Sequence, residues 1–272
     1  MRGLTGKVAL VTGATQAMGG AIALRLADEG AAIVGVGRSV ERGEAVAAAI
    51  RATGGEAIFV PTDISDEGQV RRSVEQAVER FGRLDIVVNN AASMDEETGE
   101  SPVVDEPSEI FEQILKVGLF GPFWLAKYAI PVMLGGGAGG AFVNISSYAS
   151  SKGVRGLPAY SVSKGGLEAF TRQLAAEYAE HGIRSNAVML GSIAVPRNVA
   201  VHGDPERAAR SRSGRLIARP GTPDDVASMV AFLASDEAGF VTGAVIPLDG
   251  GLSVTSPGTS VVHGAPAPAP SS

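Results

Sequence analysis

The chain has 272 residues, no cysteine, 45% apolar residues, 19% charged residues and a formal net charge of −6. This length and apolar content support a globular core in one or two domains, and the lack of cysteine excludes disulfides, thiolate nucleophiles and cysteine-ligated zinc. A surplus of acid argues against a general nucleic-acid binder, which needs Lys and Arg to pair with phosphates. No apolar run approaches the ~18 residues of a membrane span. The apolar stretch near Met1 is too short for a secretory signal, so the expected location is cytoplasmic, without a membrane partner.

Short apolar runs alternate with longer amphipathic ones. KVALVT (7–12) predicts a strand, followed by a helix near 18–29; AAIVGVG (31–37) is followed by a helix at 39–52, and EAIFVP (56–61) by one at 66–81. LDIVVNN (84–90) leads to a long helix at 107–133, GAFVNIS (140–146) to one at 158–180, and RSNAVML (184–190) to one at 223–235; AVIPLD (244–249) is the last strand. Most of these strands carry few charges, as strands covered on both faces do. The repeated strand–helix unit predicts an α/β fold of Rossmann type, a doubly wound, seven-stranded parallel sheet with helices on both faces and right-handed crossovers. One domain is expected over 1–254. GGGAGG (135–140) reads as a flexible surface turn, and the Pro/Ala/Ser-rich segment 255–272 as a mobile tail.

VTGATQAMGG (11–20) joins the first strand to the first helix. In such a loop glycines let backbone N–H groups approach a pyrophosphate, and the helix N-terminus adds its positive dipole end. Gly13 and Gly19 are in place; Ala17 adds one methyl where closeness matters. An ordinary strand–turn–helix is the competing reading, because a lone loop of this kind is a weak signal. The second strand ends in Gly37 and then Arg38. No acid stands there to repel a ribose 2′-phosphate, and a guanidinium pairs with one, which favours NADP(H) over NAD(H). The alternative is a solvated arginine opening a helix.

In YSVSKGG (160–166), Tyr160 and Lys164 are four apart and share a helix face. A cation beside a phenol lowers its pKa from about 10, which suits Tyr160 to act as general acid toward a developing alkoxide. Alone, such a pair is usually a surface pair. Together, and in this order, the motifs resemble the short-chain dehydrogenase/reductase family, including its 3-oxoacyl reductase-like and carbonyl reductase members, from about residue 4 to about residue 252. TGATQAMG (12–19) resembles the family's cofactor loop and NNAA (89–92) its NNAG stretch. Asp63, in TDIS, resembles the acid that contacts adenine. NISS (144–147) precedes Tyr160 at the family's Ser-to-Tyr spacing, and RPGTPDDVA (219–227) and TGAVIPLDGG (242–251) match its closing segments.

The resemblance implies cofactor contacts from Gly13, Thr15, Gln16, Ala17, Met18 and Gly19 in the loop, and from Arg38 and Ser39 after the second strand. Asp63 and Ile64 follow the third strand, Asn90 and Ala91 the fourth, and Gly191 and Ile193 the sixth, joined by Tyr160 and Lys164. It also implies chemistry: Ser147 hydrogen-bonds a substrate carbonyl, Tyr160 donates the proton, Lys164 holds the nicotinamide ribose and keeps Tyr160 acidic, and NADPH delivers hydride. In the reverse direction Tyr160 is the base. No metal is implied.

Four sites depart from the family pattern. Ala17 and Ala92 replace glycines. Gly118 stands where relatives carry an asparagine that positions a proton-relaying water, and a helical glycine also costs about 1 kcal/mol relative to Ala. In VMLGSIAV (188–195), Leu190 replaces a proline and Val195 a hydroxyl residue that contacts the nicotinamide carboxamide. Two readings follow: an active NADP(H)-dependent enzyme interconverting a ketone and a secondary alcohol, or a non-catalytic NADP(H)-binding or scaffold relative. The intact Ser147, Tyr160 and Lys164 favour activity.

On the substrate side the expected lid is 194–217, with Arg197, Arg207, Arg210, Arg212 and Arg215, facing an acidic loop at 93–109. GGGAGG offers no cation to an acidic carrier protein, which lowers the case for fatty-acid synthesis. Val154, Leu157, Val195 and Val199 suggest an apolar wall and a small hydrophobic carbonyl or alcohol substrate. His181, His202 and His263 show no metal-ligand spacing. Phe120, Phe123, Trp124 and Tyr128 on the long helix are consistent with a homodimer or homotetramer.

Overall fold

The computed structural model describes residues 1–93, 101–196 and 215–254. Seven parallel strands form one sheet in the order β3-β2-β1-β4-β5-β6-β7. They are β1 (Val8–Thr12), β2 (Ala32–Gly37), β3 (Ala57–Pro61), β4 (Ile86–Asn89), β5 (Gly140–Ser147), β6 (Ile183–Leu190) and β7 (Val245–Leu248). The chain leaves β1 toward β2 and β3 on one side, then returns to lay β4 on β1's other edge. That reversal opens a crevice between β1 and β4 at the C-terminal ends of the strands, where open α/β sheets bind ligands. The doubly wound, Rossmann-type expectation is met.

Side-chain alternation along β1 explains the two-sided core. Ala9 and Val11 face a cluster with Ile22 and Leu26 of α1 (Ala17–Asp28), Ile50 of α2 (Val40–Ala52) and Val230 of α7 (Pro223–Ala234). Val8 and Leu10 face the opposite cluster, with Val74 of α3 (Glu67–Phe81), Leu125 of α5 (Gly121–Gly136) and Leu174 of α6 (Pro158–Tyr178). A buried polar chain also crosses the sheet. Asn89 Nδ2 donates to Asn144 Oδ1 at 2.7 Å, and Asn144 Nδ2 to Thr171 Oγ1 at 2.8 Å. Buried amides need such partners, and these ones tie β4, β5 and α6 to a single register.

Two expectations are corrected. The long fourth helix comprises α4 (Ser108–Leu115), one π-helical turn (Lys116–Phe120) and α5, and helical structure continues through Gly135 and Gly136. Only Gly137, left-handed at φ +65°, ends it, so the glycine turn is shorter than its sequence suggests. The whole stretch Ser108–Gly136 is also long and apolar enough to cross a membrane, by length and composition alone. Here Leu125, Ala129 and Met133 are instead buried against the sheet.

Candidate active site

A cleft of about 360 Å³ opens over the C-terminal ends of β1, β2, β3 and β4. Its walls include Gly13, Thr15, Gln16, Ala17, Met18, Gly19, Arg38, Ser39, Asp63, Ile64, Asn90 and Ala91, so the sequence-expected contacts from the first four strands come together. Gly13 is left-handed at φ +68°, and a Cβ there would press on the Asn90 amide. A Cβ on Gly19 would overlap the Gly13 carbonyl. Helix α1 therefore begins directly on top of the loop. Thr12 clamps the far side: Asn90 Nδ2 donates to Thr12 O, and the Asn90 and Ala91 N–H groups to Thr12 Oγ1, each at 2.8 Å.

The N-terminus of α1 has no side-chain cap at Gln16 and no acid in its first turn. Its leading N–H groups and dipole are left for an anionic ligand. Ala17 is the one non-glycine residue with positive φ among those described, at +47°. The left-handed region costs an L-residue roughly 1–2 kcal/mol, which shows why glycine suits this position.

A second cation at the end of β2 escaped the sequence reading. Arg42, in the first turn of α2, lines the cleft beside Arg38. Its Nη1 donates to Gln16 Oε1 at 2.8 Å and its Nε to Ser39 Oγ at 3.1 Å. Within VERGE it looks like any solvated helix arginine; only its three-residue spacing from Ser39 hints at a role. Asp63 is held at the cleft wall by Ser65, whose N and Oγ donate to Oδ1 at 2.9 and 2.7 Å.

Ser147 is the last residue of β5, and Tyr160 and Lys164 lie in the first two turns of α6, which packs on that strand. Lys164 is 2% exposed, and its Nζ donates to the Ile145 carbonyl at 2.7 Å. Burial pushes its ammonium down to about 8 from the usual 10.5. Lys164 Nζ stands 5.6 Å from the Tyr160 ring centroid, so the cation lies against the phenol as the four-residue spacing requires. Ser147 is 8% exposed, and its Oγ accepts from Ala149 N at 3.3 Å.

The remaining positions divide. Ser147, Tyr160, Lys164, Gly191 and Ile193 are not on the wall of this cleft. Gly191 abuts the Asp249 backbone, and Ile193 is a core residue bridged to Gly221. Val195 and Pro196 just beyond them do line the cleft. Gly118 lies in the π-helical turn, where a Cβ would overlap Ser163 Oγ. Of the expected lid, 197–214 lie outside the described residues, and with them Arg197, Val199, His202, Arg207, Arg210 and Arg212; so do 94–100 of the acidic loop, His263 and the tail. Arg215 is described and is 9% exposed. The aromatic face is split: Tyr128 Oη donates to Glu67 Oε1 at 2.9 Å and Trp124 packs against the core, whereas Phe120 and Phe123 stay exposed.

Residues 13–253 match the family model described as enoyl-(acyl carrier protein) reductase. An uncharacterised oxidoreductase of Thermotoga maritima is 39% identical over 90% of this chain and 97% of its own. The cis-4-hydroxycyclohexanecarboxylate dehydrogenase of Sinomonas cyclohexanicum is 37% identical over 90% and 96%. Among solved structures, an Agrobacterium tumefaciens protein described as a 2-deoxy-D-gluconate 3-dehydrogenase with bound NADP superposes with a TM-score of 0.85. It is 30% identical and covers 93% of this chain and 98% of its own.

A sheet that reverses at β1/β4 above an anion-ready helix end defines a dinucleotide-binding, Rossmann-type fold. The chain belongs to the short-chain dehydrogenase/reductase family, whose members bind a nicotinamide cofactor. The cleft fits that group: unspent helix N–H groups and close-packed glycines suit the pyrophosphate, and two guanidinium groups stand at the end of β2.

Proposed function

We propose that the protein is an NADP(H)-dependent oxidoreductase that interconverts a ketone and a secondary alcohol, with Ser147, Tyr160 and Lys164 at its reacting centre. The observation that carries this reading is Lys164, a cation 2% exposed on the same helix face as Tyr160, where that helix meets the strand ending in Ser147. Burying an ammonium costs free energy, and nothing in packing alone asks for one there. The Ser147 hydroxyl donates to the substrate oxygen and fixes its orientation. Tyr160 delivers its proton to that oxygen as negative charge grows on it, and takes it back in the oxidative direction. Lys164 stabilises the phenolate left behind. The nicotinamide, when bound, supplies or accepts the hydride. Gly13, Thr15, Gln16, Ala17, Met18 and Gly19 hold the pyrophosphate; Asp63, Ile64, Asn90 and Ala91 border the adenosine half. Gly191 and Ile193 support the segment that carries Val195 toward the nicotinamide.

Preference for NADP(H) rests on Arg38 and Arg42, with Ser39 and Gln16 holding the second guanidinium in place. A guanidinium pair suits a 2′-phosphate and gives NADH nothing equivalent. Titration by nicotinamide fluorescence tests this: Arg42→Ala weakens NADPH about tenfold, the loss of one charge-assisted contact, and leaves NADH unchanged. Equal weakening of both would refute the assignment.

Two of these names denote hydroxylated acids oxidised at a ring or chain carbon, in keeping with a secondary alcohol or ketone as substrate. Exposed Phe120 and Phe123 support a homodimer or homotetramer. We take 1–254 as the working domain and place it in the cytoplasm. Gly118 and Val195 favour the competing non-catalytic reading, and turnover with a ketone panel separates the two. Tyr160→Phe keeps NADPH affinity and loses turnover by about 10²–10⁴-fold; undiminished turnover by that variant ends the mechanism.

A further inference from the structure

We propose that Glu168 is a positioning residue that keeps Ser147 in register with Tyr160 and Lys164; the inference rests on the roles just assigned to those three. Glu168 follows Lys164 by one helical turn and Tyr160 by two, on the same face of α6. It is only 9% exposed, and a carboxyl group so buried needs polar partners. Both hydroxyls that reach it flank Ser147 in the chain. Ser146 Oγ donates to Glu168 Oε1 at 2.7 Å, and Ser150 Oγ lies 2.5 Å from the same oxygen.

The geometry turns these contacts into a clamp. Successive strand residues point to opposite faces, so fixing Ser146 against α6 fixes the direction in which Ser147 leaves the strand. On the other side, Ser150 ends the 3₁₀ turn Tyr148–Ser150, and its single hydroxyl proton is shared between Glu168 Oε1 and the Ser147 carbonyl, 2.7 Å away. The main chain is therefore held before and after Ser147 by one carboxyl oxygen of the helix that carries Tyr160 and Lys164. The Lys164–Ile145 hydrogen bond ties the same strand and helix one step further back. An acid between two neutral hydroxyls, with no cation among these partners, serves placement rather than charge pairing.

Three variants test the clamp, with the ketone identified by the panel. Glu168→Leu keeps volume and removes the acceptor; Glu168→Gln keeps an oxygen in place. The Leu variant binds NADPH as the parent does but loses about tenfold or more in kcat, because small misplacements of reacting groups are costly, while Gln restores most of the rate. A crystal structure of the Leu variant shows Ser147 in more than one rotamer. Ser150→Ala, which removes a single arm, gives a smaller loss of kcat and covers the case in which Leu prevents folding. A purely structural role would lower Tm and leave the kcat of folded protein intact; that result, or equal loss in Gln and Leu, overturns the proposal. Ser147→Ala and Tyr160→Phe run alongside. Full turnover in those two sinks the catalytic reading itself, whereas their loss with an unimpaired Glu168→Leu sinks only the clamp.

Discussion

At position 17 a single methyl group meets a backbone that prefers none. The sequence shows that Ala17 replaces a glycine, but side-chain identity says nothing about the sign of φ, and the +47° found there appears only in three dimensions. Ala17→Gly relieves the left-handed strain but returns entropy to the unfolded chain, so the net gain is about 0.5–1 kcal/mol. Urea unfolding measures it; a loss of stability would mean that the methyl makes a packing contact worth more than the strain. Gly118 presents the same limit of legibility. The missing side chain is plain in the sequence, yet it takes the structure to show Ser163 Oγ filling that space at a π-helical turn. Arg42 and Glu168 were illegible for another reason. Each sits in a helix where an isolated charge is ordinarily solvated, and the contacts that single it out come from another element, Gln16 for Arg42 and Ser146 with Ser150 for Glu168.

The elements themselves were the most legible level. Strands covered on both faces must be apolar along their length, and the seven apolar runs became the seven strands. What periodicity missed was the π-helical turn, because one extra residue in a turn hardly disturbs an apolar stripe. Helix α7 shows how local chemistry can set a boundary. Thr222 Oγ1 accepts from Asp225 N at 3.2 Å, while the Asp225 carboxyl accepts from Thr222 N at 2.8 Å, a reciprocal capping box. The Arg219 guanidinium, then the Thr222 backbone, hold the Asp225 carboxyl well below the usual carboxylate range. A depressed carboxyl contributes stability above its unfolded pKa and loses it as the medium becomes more acid. Thr222→Ala costs about 1 kcal/mol, read as a drop in the urea midpoint at neutral pH. An unchanged midpoint would show that α7 is held by its packing on α1 and the sheet, without need of the cap.

For the molecule as a whole, the buried Lys164 costs stability, a cost that the role proposed for it would explain. Its ammonium falls to about 8 in the fold, against 10.5 when unburied. Between those values the unfolded chain binds more protons, so stability rises with pH; below about 8 both states are charged and the full cost remains. That cost is on the order of 3 kcal/mol. Lys164→Met therefore raises Tm at pH 7 and flattens the pH dependence of Tm between 8 and 10.5 while abolishing turnover. A lower Tm in that variant would show that the Ile145 hydrogen bond outweighs desolvation. The fold class and the proposed triad could be read from apolar runs and residue spacing, because both reside in the order of residues along the chain. The pairing of α2 with the 13–19 loop, and of α6 with the end of β5, depends on contacts between distant segments.

The strand order also sets an order in time. On a ribosome the N-terminal part of a chain emerges first and folds as a unit when it can. Every described wall residue from Thr12 to Ser93, including both arginines, precedes the residues proposed for chemistry, which begin at Ser147. Strand β4 pairs with β1 on one edge and with the later strand β5 on the other. Yet α1, which opens the cleft, is packed on α7 from the far end of the chain, and Val195 and Pro196 complete the wall, so the early residues become a cleft only when the whole domain closes on itself.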